Sequence, residues 1–203
     1  MASGVGVEEK ATARTEAFSD GIFAVAITLL ALDLKDPALG GGTLVQALLG
    51  QWPTFFAFVT SFVTILIMWV NHHNMFKAIH RIDKRLMFLN GLLLLFVVLT
   101  PFTTSLVAAH LLSDDAGTAA AIYAGTFFLL SLVWNSFWRY ASGHGLFAGG
   151  VAEGHVRVVA RQYLVGPISY GSAFVVSFVS GLLSVAVVLA VAGFFAVTAT
   201  MSQ

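Results

Sequence analysis

Six apolar runs, each near the length a helix needs to cross hydrocarbon, constrain this chain more than any other feature. A span takes about 20 predominantly apolar residues. Between polar breaks, such runs lie at approximately 15–34, 52–72, 86–106, 119–138, 163–179 and 182–200. No polar loop separates the last two. Arg161–Gln203 as one helix would nevertheless reach roughly 60 Å, about twice the hydrocarbon thickness, so Ser180-Gly181 is read as the break of a tight hairpin. Composition agrees. The 203 residues are 58% hydrophobic and 10% charged, with a mean hydropathy of +0.89, where soluble domains carry about 25% charged residues. The expectation is an all-α integral membrane protein, residues 1–203 forming a single domain of six transmembrane helices. Cysteine is absent, which removes disulfides and thiolate metal sites. A formal charge of zero with no basic block gives a nucleic-acid partner no support.

Charge placement sets the expected orientation. Lys10 and Arg14 precede the first run, Lys77, Arg81, Lys84 and Arg85 follow the second, and Arg139, Arg157 and Arg161 follow the fourth. Lys35 falls on the opposite side, with Asp33, Asp36, Asp114 and Asp115. The positive-inside rule then places both termini and both basic loops in the cytoplasm, as an even span count requires. A cleaved signal is not expected, because Lys10 and Arg14 are outnumbered by Glu8, Glu9, Glu16 and Asp20 where a signal peptide has a basic lead. Gly143–Glu153 reads as a plain flexible loop.

The first run opens on Arg14-Thr-Glu-Ala-Phe18-Ser19-Asp20 and continues with only twelve uninterrupted apolar residues. An ionisable group at the edge of hydrocarbon is costly unless protein or water surrounds it. So short a run also suits a helix shielded by others better than one facing lipid. On a wheel, Phe18, Ile22, Val25, Leu29 and Leu32 share a stripe about 80° wide. Asp20, Ala24, Ile27 and Ala31 take the opposite side, where small residues permit close packing. Two readings stand at this point. The stripe is ordinary core and Asp20 a buried, hydrogen-bonded carboxylate, or the stripe is the apolar wall of a passage that gates ions by dewetting.

The second run ends Trp69-Val-Asn71-His72-His73-Asn74-Met-Phe76-Lys77-Ala-Ile-His80. Trp69, His73, Phe76 and His80 fall on one helical face, on the same membrane side as Arg14 and Asp20. The indole N–H, the imidazoles and the Asn amides suit a carboxylate without importing water. A structural clamp on the first helix is one reading. A proton relay or proton-coupled solute transporter using Asp20 and His73 is another. A metalloenzyme is a third, weakened because no carboxylate sits at ligand spacing beside His72 and His73. Thr100-Pro101 is expected to break or kink the third helix and Pro167 to notch the fifth. Trp134, Trp138 and Tyr140 read as interfacial anchors. Neither a Thr-Val-Gly-Tyr-Gly filter nor an Arg-rich voltage sensor occurs.

The Arg-x-x-x-Phe-Ser-Asp motif at Arg14, Phe18, Ser19 and Asp20, with Trp69, Asn71, His72 and His73, resembles the transmembrane protein 175 family. This is the endosomal and lysosomal potassium channel of animals and its bacterial relatives. Animal members carry two six-helix repeats and assemble as dimers, and a single repeat is similar to the bacterial homotetramer. The resemblance implies a non-canonical, passive potassium channel in a bacterial plasma membrane, without a re-entrant filter loop and without enzyme chemistry. Four first helices would line its pore. It puts the constriction at Val25, with further layers at Leu29 and Leu32 and a contribution from Thr28, beside Ile22 of the stripe. Many relatives have isoleucine or leucine at the Val25 position. Arg14 and Asp20 become structural ties to Trp and His partners. No cofactor or tightly bound metal is implied, only potassium ions in transit and membrane lipid.

Overall fold

The computed structural model describes residues 2–148 and 152–201, with side chains between 11 and 197 apart from 153 and 155. The side chains of Glu8, Glu9 and Lys10, used above for orientation, lie outside that set. Among the described residues the chain is helical: α1 (Ala2–Leu29), α2 (Leu44–Gly50), α3 (Trp52–Ala78), α4 (Lys84–His110), α5 (Ala116–Gly143), α6 (Glu153–Ser177) and α7 (Gly181–Met201). A 3-10 turn over Leu30–Asp33 closes α1. One antiparallel bridge joins Ile79 and Phe147.

The runs at 52–72, 86–106, 119–138 and 182–200 lie within longer helices, while 15–34 continues past α1 through the 3-10 turn and 163–179 runs two residues past α6. The apolar stretch marks the part that suits hydrocarbon, while strong helix formers such as Ala, Glu, Lys and Arg carry α1 well upstream of Thr15. Four segments are long and apolar enough to cross a membrane: Ala11–Asp33, Trp52–Ala78, Lys84–His110 and Ala116–Gly143. Gly181–Val197 is apolar but shorter. α6 reaches 25 residues but is diluted by Arg161, Gln162, Tyr163, Pro167 and several serines. The protein is an all-helical integral membrane protein.

α5 is the central element. It packs against α4 and α6 and also touches α7, while α1 lies at the edge and rests on α3 and α4. The expected hairpin break is present: α6 ends at Ser177 and α7 starts at Gly181. Close backbone approach demands glycine there. A Cβ on Gly181 would sit 2.5 Å from the Ala116 carbonyl oxygen, and one on Gly117 would sit 2.9 Å from the Ser177 carbonyl oxygen.

Pro101 does not break its helix, and α4 and α6 run continuously through Pro101 and Pro167; around Pro101, Thr100 Oγ1 donates to the Phe96 carbonyl and Thr104 Oγ1 to the Thr100 carbonyl. Two further expectations need correcting. Trp134 and Trp138 are not interfacial anchors but buried side chains, packed edge-on against Tyr163 of α6. The segment after Gly143 is not a plain flexible loop. Leu146 is buried, its carbonyl accepts from the His80 and Arg81 amides, and the Ala148 N–H donates to the Ala78 carbonyl. Residues 149–151 of that stretch lie outside the described set. α2 was not anticipated, although its sequence carries a cue. Thr43 and Gln46 form a reciprocal capping box, the Thr-x-x-Gln pattern of a helix start.

The exposed face of the first helix and its polar clamp as a candidate functional site

α1 turns one narrow face inward. Ser19, Phe23, Ala26 and Leu30, at alternating spacings of four and three, are buried against the subunit, as a packed helical stripe requires. The expected pore stripe is turned the other way. Phe18 is 64% exposed, Val25 55%, Leu29 38% and Leu32 69%; Thr28 is exposed beside them and Ile22 is half-buried at the edge. Thr28 Oγ1 donates to the Val25 carbonyl at 2.8 Å, so its hydroxyl proton stays within the helix. Ala24 and Ala31, expected to pack against neighbouring helices, are also exposed. Within the chain, therefore, α1 packs on one narrow face only. Apolar side chains left bare over a whole helical face have either lipid or another copy to meet.

The inward face is held by a chain of polar contacts near the Arg14 end. Trp69 Nε1 donates to Asp20 Oδ1 at 2.8 Å, and His73 Nδ1 pairs with Glu16 Oε1 at 2.8 Å. Glu16/Asp20 and Trp69/His73 are each four residues apart, so two facing helix turns match rung for rung. Trp69 and His73 stack, centroids 6.0 Å apart and planes at 17°. At the same level but buried, His72 Nε2 lies 2.9 Å from Asn90 Oδ1, Asn90 Nδ2 donates to Ser19 Oγ at 2.9 Å, and Ser19 Oγ donates to the Thr15 carbonyl at 2.8 Å.

That order fixes the protons. Asn90 spends its amide on Ser19, so its oxygen accepts and His72 carries its proton on Nε2. His72 is fully buried, between the rings of Phe23 and Phe76. Its Nδ1 has no partner, as expected of a neutral, acceptor-only nitrogen among aromatic rings. At the far end of α1, Ser105 Oγ donates to Asp33 Oδ1 at 3.2 Å. The helix is thus tied at both ends, with an apolar middle.

Not every motif residue joins the clamp. Arg14 and Phe18 are exposed and stand outside it, and the Asn71 amide donates to the Ile67 carbonyl of its own helix. The expected shared face also divides: α3 stops at Ala78, leaving His80 exposed while Phe76 is buried. Asp20 and His73 each have a different partner. Sequence reasoning missed Glu16, Asn90 and Asp33 as tie points. Among the described residues, no group of three or more His, Asp or Glu is placed to hold a metal ion.

Beyond the clamp, Asp83 caps α4, Oδ1 accepting from the Leu86 N–H at 2.8 Å while Oδ2 accepts from the Tyr140 hydroxyl at 2.7 Å. Partial desolvation pushes the Asp83 carboxyl upward. The hydrogen bonds from Tyr140, Leu86 and Arg85 outweigh it and hold the group below its ordinary 3.8.

This arrangement has counterparts. Residues 14–101 match the family model described as endosomal/lysosomal potassium channel TMEM175, a stretch holding every clamp residue and the exposed face of α1. A protein of Chamaesiphon minutus named as a potassium channel is 44% identical over 193 residues, covering 93% of this chain and 95% of that protein. A similarly named protein of Streptomyces collinus is 42% identical over 176 residues, 85% of each. The human relative, named as an endosomal/lysosomal proton channel, is 37% identical over 93 residues, 41% of this chain and 18% of that protein. A crystal structure described as a lysosomal potassium-selective TMEM175 homolog from Chamaesiphon minutus superposes with a TM-score of 0.86. It is 42% identical and covers 94% of this chain and 98% of that one. Sequence and architecture agree over nearly the full length: this chain belongs to the TMEM175 family.

Proposed function

We propose that this chain is one subunit of a passive, potassium-conducting homotetramer of a bacterial plasma membrane, with six spans, both termini cytoplasmic and no re-entrant filter loop. Ile22, Val25, Thr28, Leu29 and Leu32 of four α1 helices line its pore. The observation that carries this reading is the outward stripe of α1. A subunit that buries Ser19, Phe23 and Leu30 while leaving Val25, Leu29 and Leu32 bare has a wall to contribute to a passage. Apolar rings at those levels would gate by dewetting. The relatives named as potassium channels supply the ion. Arg14, exposed at the same end, is available to a neighbouring copy.

The test is bi-ionic reversal-potential recording on liposome-reconstituted protein, with the mass of the solubilised oligomer measured alongside. The expected outcome is a potassium-selective reversal potential from a four-subunit particle. A lone cysteine at Val25 or Leu29 is unique in this cysteine-free chain, and a thiol reagent there should block the current. Potassium gradients that drive no cation flux would sink the reading.

Proton permeation is the second reading, favoured by the Glu16–His73 pair and by the name of the animal relatives. It predicts acidification of vesicles under a proton gradient, reduced by His73→Gln. A proton-coupled solute carrier instead predicts saturable uptake lost in Asp20→Asn; current linear in voltage and independent of any organic solute argues against it.

A further inference from the structure

The connection between α1 and α3 carries α2 (Leu44–Gly50), a helix that its own chain does not bury. Isolated helices shorter than about 12–15 residues are marginal in water. α2 has seven residues, and none of them is buried. Leu44, Val45 and Leu49 are more than half exposed, and Leu48 is exposed beside them. Whatever covers these side chains lies outside the chain. On a wheel they fall in the order Leu44, Leu48, Val45, Leu49 within an arc of about 140°. Gln46 and Gly50 take the opposite side, and the helix carries no charge. Gln46 is folded back on the helix start, its Oε1 accepting from the Thr43 N–H while its own N–H donates to Thr43 Oγ1. That meets two of the amides at the helix start without water.

The height of α2 is set by α3. Only Gln51 separates the two helices, and Pro53, in the first turn of α3, has no N–H to carry the α2 ladder onward. The 27 residues of α3 reach roughly 40 Å, the thickness of the hydrocarbon together with both headgroup layers. Trp52 at its start is half-exposed and packs beside Phe56, as suits an indole at the headgroup level. α2 joins α3 at that level.

We propose that α2 is an interfacial anchor lying along the membrane surface, with Leu44, Val45, Leu48 and Leu49 immersed in lipid and the side of Gln46 and Gly50 turned to water. The partner is lipid at the boundary between headgroups and acyl chains. A helix lying flat there buries its apolar arc, whereas one projecting into water leaves the arc bare. Lipid is also the partner already present at the level where α2 joins α3. With no charge on the helix, the anchor asks for no particular headgroup. Lys35 and Asp36, exposed in the segment before it, remain in water. Lipid thereby holds the connection from α1 to α3, residues 34–51, through the helix it contains. The anchor requires a membrane-embedded chain and does not depend on conduction.

The test places one fluorescent maleimide on the full chain through Val45→Cys, Leu49→Cys or Gly50→Cys, each a single thiol in this cysteine-free sequence. A Cβ at Gly50 meets nothing within 4 Å, so the water-side reporter fits. The labelled protein is reconstituted in phosphatidylcholine liposomes and quenched either by iodide on both sides of the bilayer or by nitroxide lipids. The Val45→Cys and Leu49→Cys labels should lose most of the iodide quenching seen with Gly50→Cys. They should also be quenched more by a nitroxide near the glycerol end of the acyl chain than by one near its terminal methyl, as immersion of about 5–10 Å requires. The Gly50→Cys label should respond to iodide and little to either nitroxide. Leu48→Cys replaces an arc position whose labelled variant is not recovered folded. Equal iodide quenching at all three positions overturns the proposal, since α2 then stands in water. So does protection of the arc labels from iodide and nitroxides alike, which assigns the arc to a second copy of the chain. Stronger quenching of the arc labels by the deep nitroxide than by the shallow one overturns the interfacial placement.

Discussion

Asn90 links two side chains that no other residue brings together. Its oxygen takes the His72 proton and its amide serves Ser19, and all three residues are buried. Asn90→Ala leaves a buried imidazole N–H without its acceptor and Ser19 without its donor, a loss of about 1–3 kcal/mol per orphaned group. The expected result is a lower unfolding temperature in detergent, while Asn90→Asp, which keeps an acceptor but loses the amide, should recover part of it. Ser19, Asp20, Trp69 and His72 could be picked from the sequence because polar groups in an apolar run need a reason to be there. Asn90 sits in an equally apolar run but carried no motif, and its role depends on the register of α4 against α1, which no local pattern encodes. Glu16 hid differently: in a polar lead segment, one more carboxylate is unremarkable until His73 is seen across from it.

At the level of elements, helix ends and helix crossings decide most of the fold. The α6–α7 turn presses on the start of α5 through Gly181 and Gly117, each facing a carbonyl oxygen. Backbone cannot yield as a side-chain tip does, so Gly181→Ala should force the hairpin off α5. The expected outcome is a destabilised protein with earlier proteolytic cutting in 178–181, checked by limited proteolysis. The start of α4 depends on a titratable cap. Because the folded Asp83 carboxyl lies below its ordinary 3.8, its contribution is complete above that value and is lost as pH falls through the lower folded one. Asp83→Asn should therefore lower the neutral plateau of an unfolding-against-pH curve and flatten its acid limb, and Tyr140→Phe should shift that limb upward in pH. Here the sequence was uneven as a guide. The helix positions and the break before Gly181 followed from length and hydropathy, which are properties of one segment against its solvent. The fates of Pro101, Trp134 and the Gly-rich stretch after α5 did not, because each is set by a neighbour: hydroxyls one turn away, Tyr163 across a helix interface, and the end of α3.

As a whole molecule, the subunit is built around α5 and leaves its first helix at the margin, tied at two ends and covered on one face. Outward and inward faces of α1 consequently answer to different tests. Changes to Phe23 or Leu30 should lower the amount of folded subunit. Changes to Val25 or Leu29 should leave the chain folded and alter only what the proposed assembly conducts. Measuring the unfolding midpoint and the current of the same preparations separates the two classes, and a Val25→Asp subunit that fails to accumulate would contradict this division.

The marginal position of α1 has a genetic corollary. A subunit spoiled on the buried side is degraded before it meets a partner, so a cell carrying one good copy of the gene simply makes fewer assemblies. A subunit spoiled at Val25 or Leu32 still folds, still joins the proposed ring, and brings its defect into a wall shared with intact neighbours. Within one helix, lesions on alternate sides should therefore be inherited differently: recessive at Phe23 and Leu30, dominant at Val25 and Leu32.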